Sequence, residues 1–260
     1  MEIASTNDQH TITLDVDGSE DRKSPEGCGG DALGENKGFS PKTVARRIFG
    51  SNAEGTSRLQ RSATGIGDRA DYAKVEREAI VAAGVLPTLK YLSTIDARGT
   101  EHSVRFRGSR VEKHQHSSGW VSVVTSEGKI GLAHASPSEY LRRLDLQNVL
   151  FGDDIQVIGL TRGNRFVITQ PTLKGGEPTE IEIRDVLEAA GWRRIPIAIQ
   201  DLPPDLMGSA WWHSEEQVVL LDARKPNLKK TDFGAVLPID LILADLTPEM
   251  RNLLEAGFSP

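Results

Sequence analysis

The residues of this chain best suited to chemistry lie between Val218 and Leu243, in the stretch VVLLDARKPNLKKTDFGAVLPIDLIL. Asp222 leaves one short apolar run, Asn227 follows in the same polar loop, and Asp240 interrupts a second apolar run. Carboxylates and amides are hard oxygen ligands. Two acids and an amide converging at strand ends can hold Mg²⁺ together with water and phosphate. One of the acids can stay clear of the ion and orient a hydroxyl for in-line attack on phosphorus. The same residues also admit a plainer explanation, a buried hairpin with a solvated aspartate at its edge, because D-x(4)-N alone is a weak motif.

The elements that must position these groups follow from the hydrophobic pattern. Val218–Leu221 and Val236–Leu243 are aliphatic, β-branched and bounded by turn residues, which predicts two strands. The loop between them carries Pro226, Asn227 and Gly234, the composition of a strand–loop–strand unit. Upstream, residues 98–134 predict a meander. Ser103–Phe106 alternates, Gly108 turns, Arg110–His114 alternates again, and Trp120–Thr125 and Lys129–Ala133 flank the turn Ser126-Glu127-Gly128. Lys113 lies on the second of these strands, as a solvated face residue or as a cation for phosphate. His114 and His116 form an H-x-H pair, which puts both rings on one face of a strand and could suit Zn²⁺ or Ni²⁺. With no cysteine partner and no H-x-x-E pattern nearby, they and His102 read as surface histidines.

A helix follows, with Ser136 as its cap, Pro137 in the first turn and Glu139 at the end where a carboxylate suits the helix dipole. Tyr140, Leu141, Leu144 and Val149 mark its apolar face. Ile155–Leu160 and Arg165–Thr169 predict a hairpin around Arg162-Gly163-Asn164, ended by Gln170-Pro171. Thr179 and Glu182 form a capping box for a helix over Glu180–Ala190 that closes at Gly191. Trp211 and Trp212 read as core aromatics.

Composition bounds the function. The chain has 260 residues, 38% hydrophobic and 26% charged, enough for one medium domain and a tail. Its net charge of −6 gives no electrostatic footprint for wrapping nucleic acid. Cys28 stands alone, so neither an intrachain disulfide nor a cysteine-based zinc site can form. No apolar run approaches a membrane span, and the N-terminus lacks a basic segment followed by an apolar one, so a cytoplasmic protein without a membrane partner is expected. Residues 1–67 read as a disordered tail and linker, too poor in apolar side chains to offset chain entropy. Within them Pro41–Phe49 predicts one short helix, whose RRIF reads as a solvated turn rather than a docking peptide. From Asp68, Tyr72, Val75, Ala79, Ile80 and Ala83 recur at helical spacing up to Gly84. Leu86–Leu92 is a weaker helix or strand.

Several of these segments together resemble a protein kinase. D-A-R-K-P-N, from Asp222 to Asn227, is similar to the D-x-K-P-x-N catalytic loop, and the interval from Asn227 to Asp240 resembles that from the catalytic-loop Asn to the metal-binding Asp of the DFG motif. On this alignment the literal Asp232-Phe233-Gly234 is a decoy, because it follows Asn227 too closely and falls in the turn. Asp240, with Leu241 and Ile242 after it, takes the place of DFG. G-T-E-H-S-V, R-V-E-K, S-E-Y-L-R-R-L-x-L-x-N-x-L-F-G-D-D-I, the strand ending T-Q-P, and D-A-R-K-P-N-L…P-I-D resemble the kinase domain of polyvalent proteins from phages and other mobile elements.

That resemblance implies an α+β, two-lobed protein-kinase-like fold behind the disordered N-terminal tail, with a small lobe over about 68–169 and a reduced large lobe over about 170–260. It implies Asp222 as catalytic base with Arg224 beside it in the catalytic loop, and Asn227 and Asp240 as ligands of Mg²⁺. Lys113, paired with Glu139, would hold the phosphates of ATP, and Gln170-Pro171 would be the hinge whose backbone receives adenine. The sequence departs from the family in three ways. No G-x-G-x-x-G loop precedes the first strand, Leu220-Leu221 stand where His-Arg is usual, and little chain follows Asp240. The expected function is a phosphotransferase using ATP and Mg²⁺ on a protein or small-molecule hydroxyl. The alternatives are a catalytically inactive kinase-like module that binds a partner, and a metal-dependent hydrolase built on Asp222 and Asp240, which would need neither Lys113 nor Glu139.

Overall fold

The strand meander expected over residues 98–134 is built, but it is divided between two sheets. The structure, a computed structural model, describes residues 38–50, 66–89 and 95–258. The expected tail over residues 1–37 and the linker over 51–65 lie outside the described residues. The described chain belongs to one compact unit, Asn36–Pro260, of mixed α+β architecture.

That unit starts earlier than composition suggests. Helix α1 (Pro41–Phe49) is capped by Ser40 and buries Pro41 and Val44. It packs against a later helix, so RRIF belongs to a docked helix and not to a solvated turn. Helix α2 (Ile66–Ala83) turns a different face inward from the one its apolar spacing predicts. Ala73, Glu76 and Ile80 are buried while Val75 is 62% exposed. Glu76 decides this orientation, because its carboxylate accepts hydrogen bonds from the backbone N–H and the hydroxyl of Ser138 at 2.9 and 2.8 Å. A buried acid so held outweighs the placement of one valine.

Strands β1 (Ala97–Arg98), β2 (His102–Arg107) and β3 (Arg110–Gln115) form an antiparallel run. β4 (Trp120–Val124) and β5 (Ile130–His134) leave it as a separate hairpin. Helix α3 (Pro137–Phe151) follows, with the full capping box of Ser136 and Glu139. The hairpin of β6 (Gln156–Leu160) and β7 (Phe166–Pro171) then returns to β3, giving a five-stranded antiparallel sheet of order β1-β2-β3-β7-β6. Beneath it Val44, Ile80, Tyr140, Leu141, Leu144, Val157, Phe166 and Ile168 form one core. Each large apolar side chain removed from water there contributes about 1.5–3 kcal/mol.

Beyond its one predicted helix, the second half is mostly short strands. Helix α4 (Glu180–Ala189) carries the predicted Thr179–Glu182 capping box. β8 (Arg193–Arg194), β9 (Gln200–Asp201), β10 (Trp211–His213), β11 (Val218–Leu221), β12 (Leu228–Lys230), β13 (Val236–Pro238), β14 (Ile242–Asp245) and helix α5 (Pro248–Gly257) complete the chain. The run 236–243 is not one strand. β13 pairs with β12 in a two-stranded ribbon, the chain breaks at Ile239-Asp240, and β14 pairs with β11 in a sheet of order β14-β11-β10-β8. Period-two alternation on β11 explains its central place. Val219 and Leu221 enter one core with Trp212, Ile242 and Met250, while Val218 and Leu220 enter another with Leu187, Trp211 and Leu243. Trp211 and Trp212 are thus core residues, as the sequence suggests.

The two halves meet in a third sheet. β5 pairs in parallel with β9, matching Ile130 with Gln200 and Gly131 with Asp201. Gly131 permits this approach, since a Cβ there would lie 2.4 Å from Thr125 Cγ2 and 3.1 Å from the Asp201 carbonyl oxygen.

Candidate active site

A cleft of about 680 Å³ lies between the five-stranded sheet and the second half. Lys113, Gln170, Asp222, Arg224, Asn227 and Asp240, chosen from the sequence at widely separated positions, all line it. Asp222 emerges from the end of β11 in a left-handed backbone conformation, φ +64°. That region is uncommon for a residue with a side chain, though Asp tolerates it better than most, and such outliers cluster at functional sites. The bend turns the chain into the polar loop. Asn227 closes the loop by donating its side-chain N–H to the Asp222 carbonyl at 3.0 Å, and the Asn227 carbonyl accepts from Ile239 N–H at 2.8 Å. Asp240 is therefore fixed opposite Asp222 by the backbone of the loop that Asp222 begins. Asp232 sits in the exposed β12–β13 turn beside Phe233, which is 99% exposed, so the decoy assignment of Asp232-Phe233-Gly234 agrees with the geometry.

The two aspartates differ in charge environment. Burial raises the Asp222 carboxyl above its ordinary value, only partly offset by Arg224, which donates to it, and by Asn227. The negative charge of Asp240 pushes it the same way. Burial would raise Asp240 too, but Lys113, Arg143 and His102 hold its carboxyl well below the usual carboxylate range. Arg143 donates to Asp240 Oδ1 at 2.5 Å, and His102 Nδ1 lies 3.7 Å from Oδ2. Lys113 on β3 is buried and donates to the Ile239 carbonyl at 2.6 Å, one residue from the carboxylate it attracts. Gln170 donates to the same carbonyl at 3.2 Å.

Glu139 does not join this cleft. It completes the α3 cap and receives Arg69 of α2 at 2.8 Å, so the expected Lys113–Glu139 pair is not formed. One turn further along α3, Arg143 reaches the cleft instead. It is 3% exposed and binds Glu101 at 2.8 Å, the Leu241 carbonyl at 2.6 Å and Asp240. Glu101 and Asp240 keep Arg143 charged against the cost of its burial. Glu101 is itself lodged against Gly119, where the positive φ of 77° and a Cβ only 2.6 Å from its carboxylate both call for glycine. His102 is buried and hydrogen-bonded to the Tyr140 hydroxyl at 2.7 Å, contrary to its reading as a surface histidine. His114 bonds Glu112, and His116 is exposed on the Gly99 carbonyl. Neither is part of the site.

The sequence reading missed Glu101, His102 and Arg143. Arg143 did leave a signal. Tyr140, Arg143, Leu144 and Gln147 lie on one inward stripe of α3, and a charge inside an apolar stripe must find a buried partner. Gln170 and Pro171, the expected hinge, end β7 against β3, where Gln170 pairs with Val111 and Pro171 with Arg110, and both line the cleft.

The donor set suits a hard divalent cation held jointly with phosphate. Asp222, Asn227 and Asp240 offer carboxylate and amide oxygens, and Asp240 keeps 35% of its side-chain surface exposed to the cleft. Among the described residues no group of three or more His, Cys, Asp or Glu side chains is placed to hold a metal alone. Mg²⁺ is commonly bound by one or two carboxylates with substrate phosphates and water completing its shell. Also among the described residues, no helix is long and apolar enough to cross a membrane. Models of known families, curated proteins and solved structures were each compared with the chain, and none matches it.

Proposed function

We propose that this chain is a kinase-like phosphotransferase that moves the γ-phosphoryl group of ATP to a hydroxyl acceptor with the help of Mg²⁺. The observation that carries the reading is the convergence of Lys113, Asp222, Asn227 and Asp240 in one cleft, although β3, the 222–227 loop and the β13–β14 break are far apart in the chain. The order of parts supports a two-lobed kinase-like fold. A basic residue sits on the middle strand of a five-stranded antiparallel sheet, a helix follows, and an Asp–Asn loop and a further Asp lie below.

In this reading Lys113 binds the nucleotide phosphates. Asp222 accepts the proton of the attacking hydroxyl, a task to which its raised pKa is suited. Arg224 orients the Asp222 carboxylate. Asn227 and Asp240 are the residues that would hold Mg²⁺, which when bound neutralises phosphate charge. Arg143 takes over the orienting duty that the kinase pattern gives to a helix glutamate, acting on Asp240 rather than on Lys113. The test is thermal unfolding with ATP and Mg²⁺, singly and together. A native-state ligand at 100 times its dissociation constant stabilises by about 2.7 kcal/mol. A rise in melting temperature that needs both, with γ-phosphate transfer, supports the reading; no response to the pair rejects it.

A second reading, a nucleotide-binding module without turnover, is favoured by one observation. The charge of Asp240 is already balanced by Arg143 and Lys113. Nucleotide binding that is indifferent to Mg²⁺, without transfer, would decide for it.

A further inference from the structure

We propose that the phosphoryl acceptor is a small ring-bearing alcohol, of the size of a sugar or nucleoside, received between Asp222 and Trp120, and not a peptide or protein. The inference rests on the phosphotransferase reading and names its substrate class. Beyond Asp222 the cleft is walled from both halves of the molecule. Trp120 and Leu132 of the β4–β5 hairpin form one wall, and Pro203 and Leu206 of the turn after β9 form the other. The parallel pairing of β5 with β9 joins these walls through the main chain.

The turn is also tied to Asp222. Arg224 donates to the Asp222 carboxylate and, at 3.0 Å, to the carboxylate of Asp205, while Ala223 N–H bonds the Ser209 carbonyl at 3.2 Å. The wall therefore stands at a fixed distance from the base. After Asp240 the chain passes through Leu241 into β14; Leu241, Ile242 and Leu243 are buried and Ile242 pairs with Leu221. No loop runs along the cleft between Asp240 and that strand. Extended peptides are recognised along free strand edges or open grooves; on this wall the strand that carries Leu132, β5, is paired on both sides, and β4 is the outer strand. Concave sites of about 300–1,000 Å³ are the scale of small-molecule recognition.

Trp120 supplies the recognition surface. Its ring is stacked on His134 at 4.5 Å between centroids, so it is held rigidly as it lines the cleft. An aromatic side chain in the cleft lining offers apolar surface to a ring while the ring hydroxyls stay free to react. In the step itself, the acceptor oxygen bonds to the γ-phosphorus of ATP and the bond from that phosphorus to the β–γ bridging oxygen breaks. The hydroxyl proton passes to Asp222, and the products are ADP and a phosphate monoester.

The experiment measures ADP release by the full chain with ATP and Mg²⁺, against a panel of free sugars, nucleosides and cyclic alcohols, a Ser/Thr/Tyr peptide library, and the protein alone. ATP binding is followed separately by equilibrium dialysis. The expected result is turnover above the water background with a member of the small-molecule panel. Trp120→Ala then raises the KM for that acceptor about tenfold or more, with the KM for ATP unchanged, and Trp120→Phe restores most of it. Stimulation by peptides or by the protein itself, or by nothing while ATP still binds, overturns the inference. Failure of the wild type to bind ATP instead removes the phosphotransferase reading, and this inference with it.

Discussion

Asp222 and Asp240 are chemically the same residue made into opposites by their neighbours. Because burial raises Asp222, the acidic limb of a kcat–pH profile should fall above the ordinary aspartate value of 3.8. Asp222→Asn should remove that limb and lower kcat by about 10²–10⁴-fold, the usual range for a lost proton acceptor. The linkage to stability has opposite signs at the two sites. A carboxyl raised in the folded state favours folding while protonated, and that contribution is lost as pH rises through its folded pKa. Asp240, depressed by Lys113 and Arg143, contributes stability above its unfolded value of about 3.9, lost as pH falls towards the folded one. Asp240→Asn should therefore flatten the acid arm of the stability curve, cost about 1–3 kcal/mol in urea unfolding at neutral pH, and abolish Mg²⁺-dependent turnover. Asp232→Asn, at an exposed turn, should stay within about 0.5 kcal/mol of wild type. Asp222 and Asn227 were legible in the sequence because a short loop fixes their spacing, and Asp240 because an acid there interrupts an apolar run. Glu101 and His102 were not, and Arg143 left only a charge inside an apolar stripe, because the three meet only when α3 packs under the sheet.

Helix α3 joins two unrelated tasks. Its first turn anchors α2 through Glu76–Ser138 and Arg69–Glu139, and its second turn delivers Arg143 to the cleft. Substitutions at the two turns should separate. Glu139→Ala loses the cap partner and the Arg69 bridge, and should cost about 0.5–2 kcal/mol while leaving the KM for ATP in place. Arg143→Met strands Glu101 without its buried counter-charge, and should cost about 3–5 kcal/mol by denaturant titration. The Ser136 cap of α3 and the capping box of α4 were plain in the sequence, because caps are set by side chains within the first turn. The division of residues 236–243 between two sheets was not. An apolar run signals burial but does not name its partner strand, and Pro238 with Asp240 marks the break only in retrospect. The inward face of α2 was misread for a related reason, since hydrophobic spacing does not register a buried glutamate paired with a distant helix cap.

At the scale of the molecule, the β4–β5–β9 sheet makes the two halves one body. Gly131→Ala would place a methyl group against Thr125 and the Asp201 carbonyl, and should cost about 1–3 kcal/mol, the range for overpacking. The same variant should widen the spread of nucleotide affinities with temperature, because the cleft walls would no longer be joined. The junction also orders events in time. Ile130 is fully buried, yet its ladder partner Gln200 emerges from the ribosome seventy residues later, and β11 must still find β14 after that. Contacts so far apart in sequence close slowly. A nascent chain that has completed the five-stranded sheet still carries an unpaired β5 edge above an unfinished core, which is the kind of surface that recruits other strands. A truncated chain ending at Pro171 should accordingly self-associate during refolding where the full chain does not, and adding back residues 172–260 in trans should suppress that association as the missing strand is supplied.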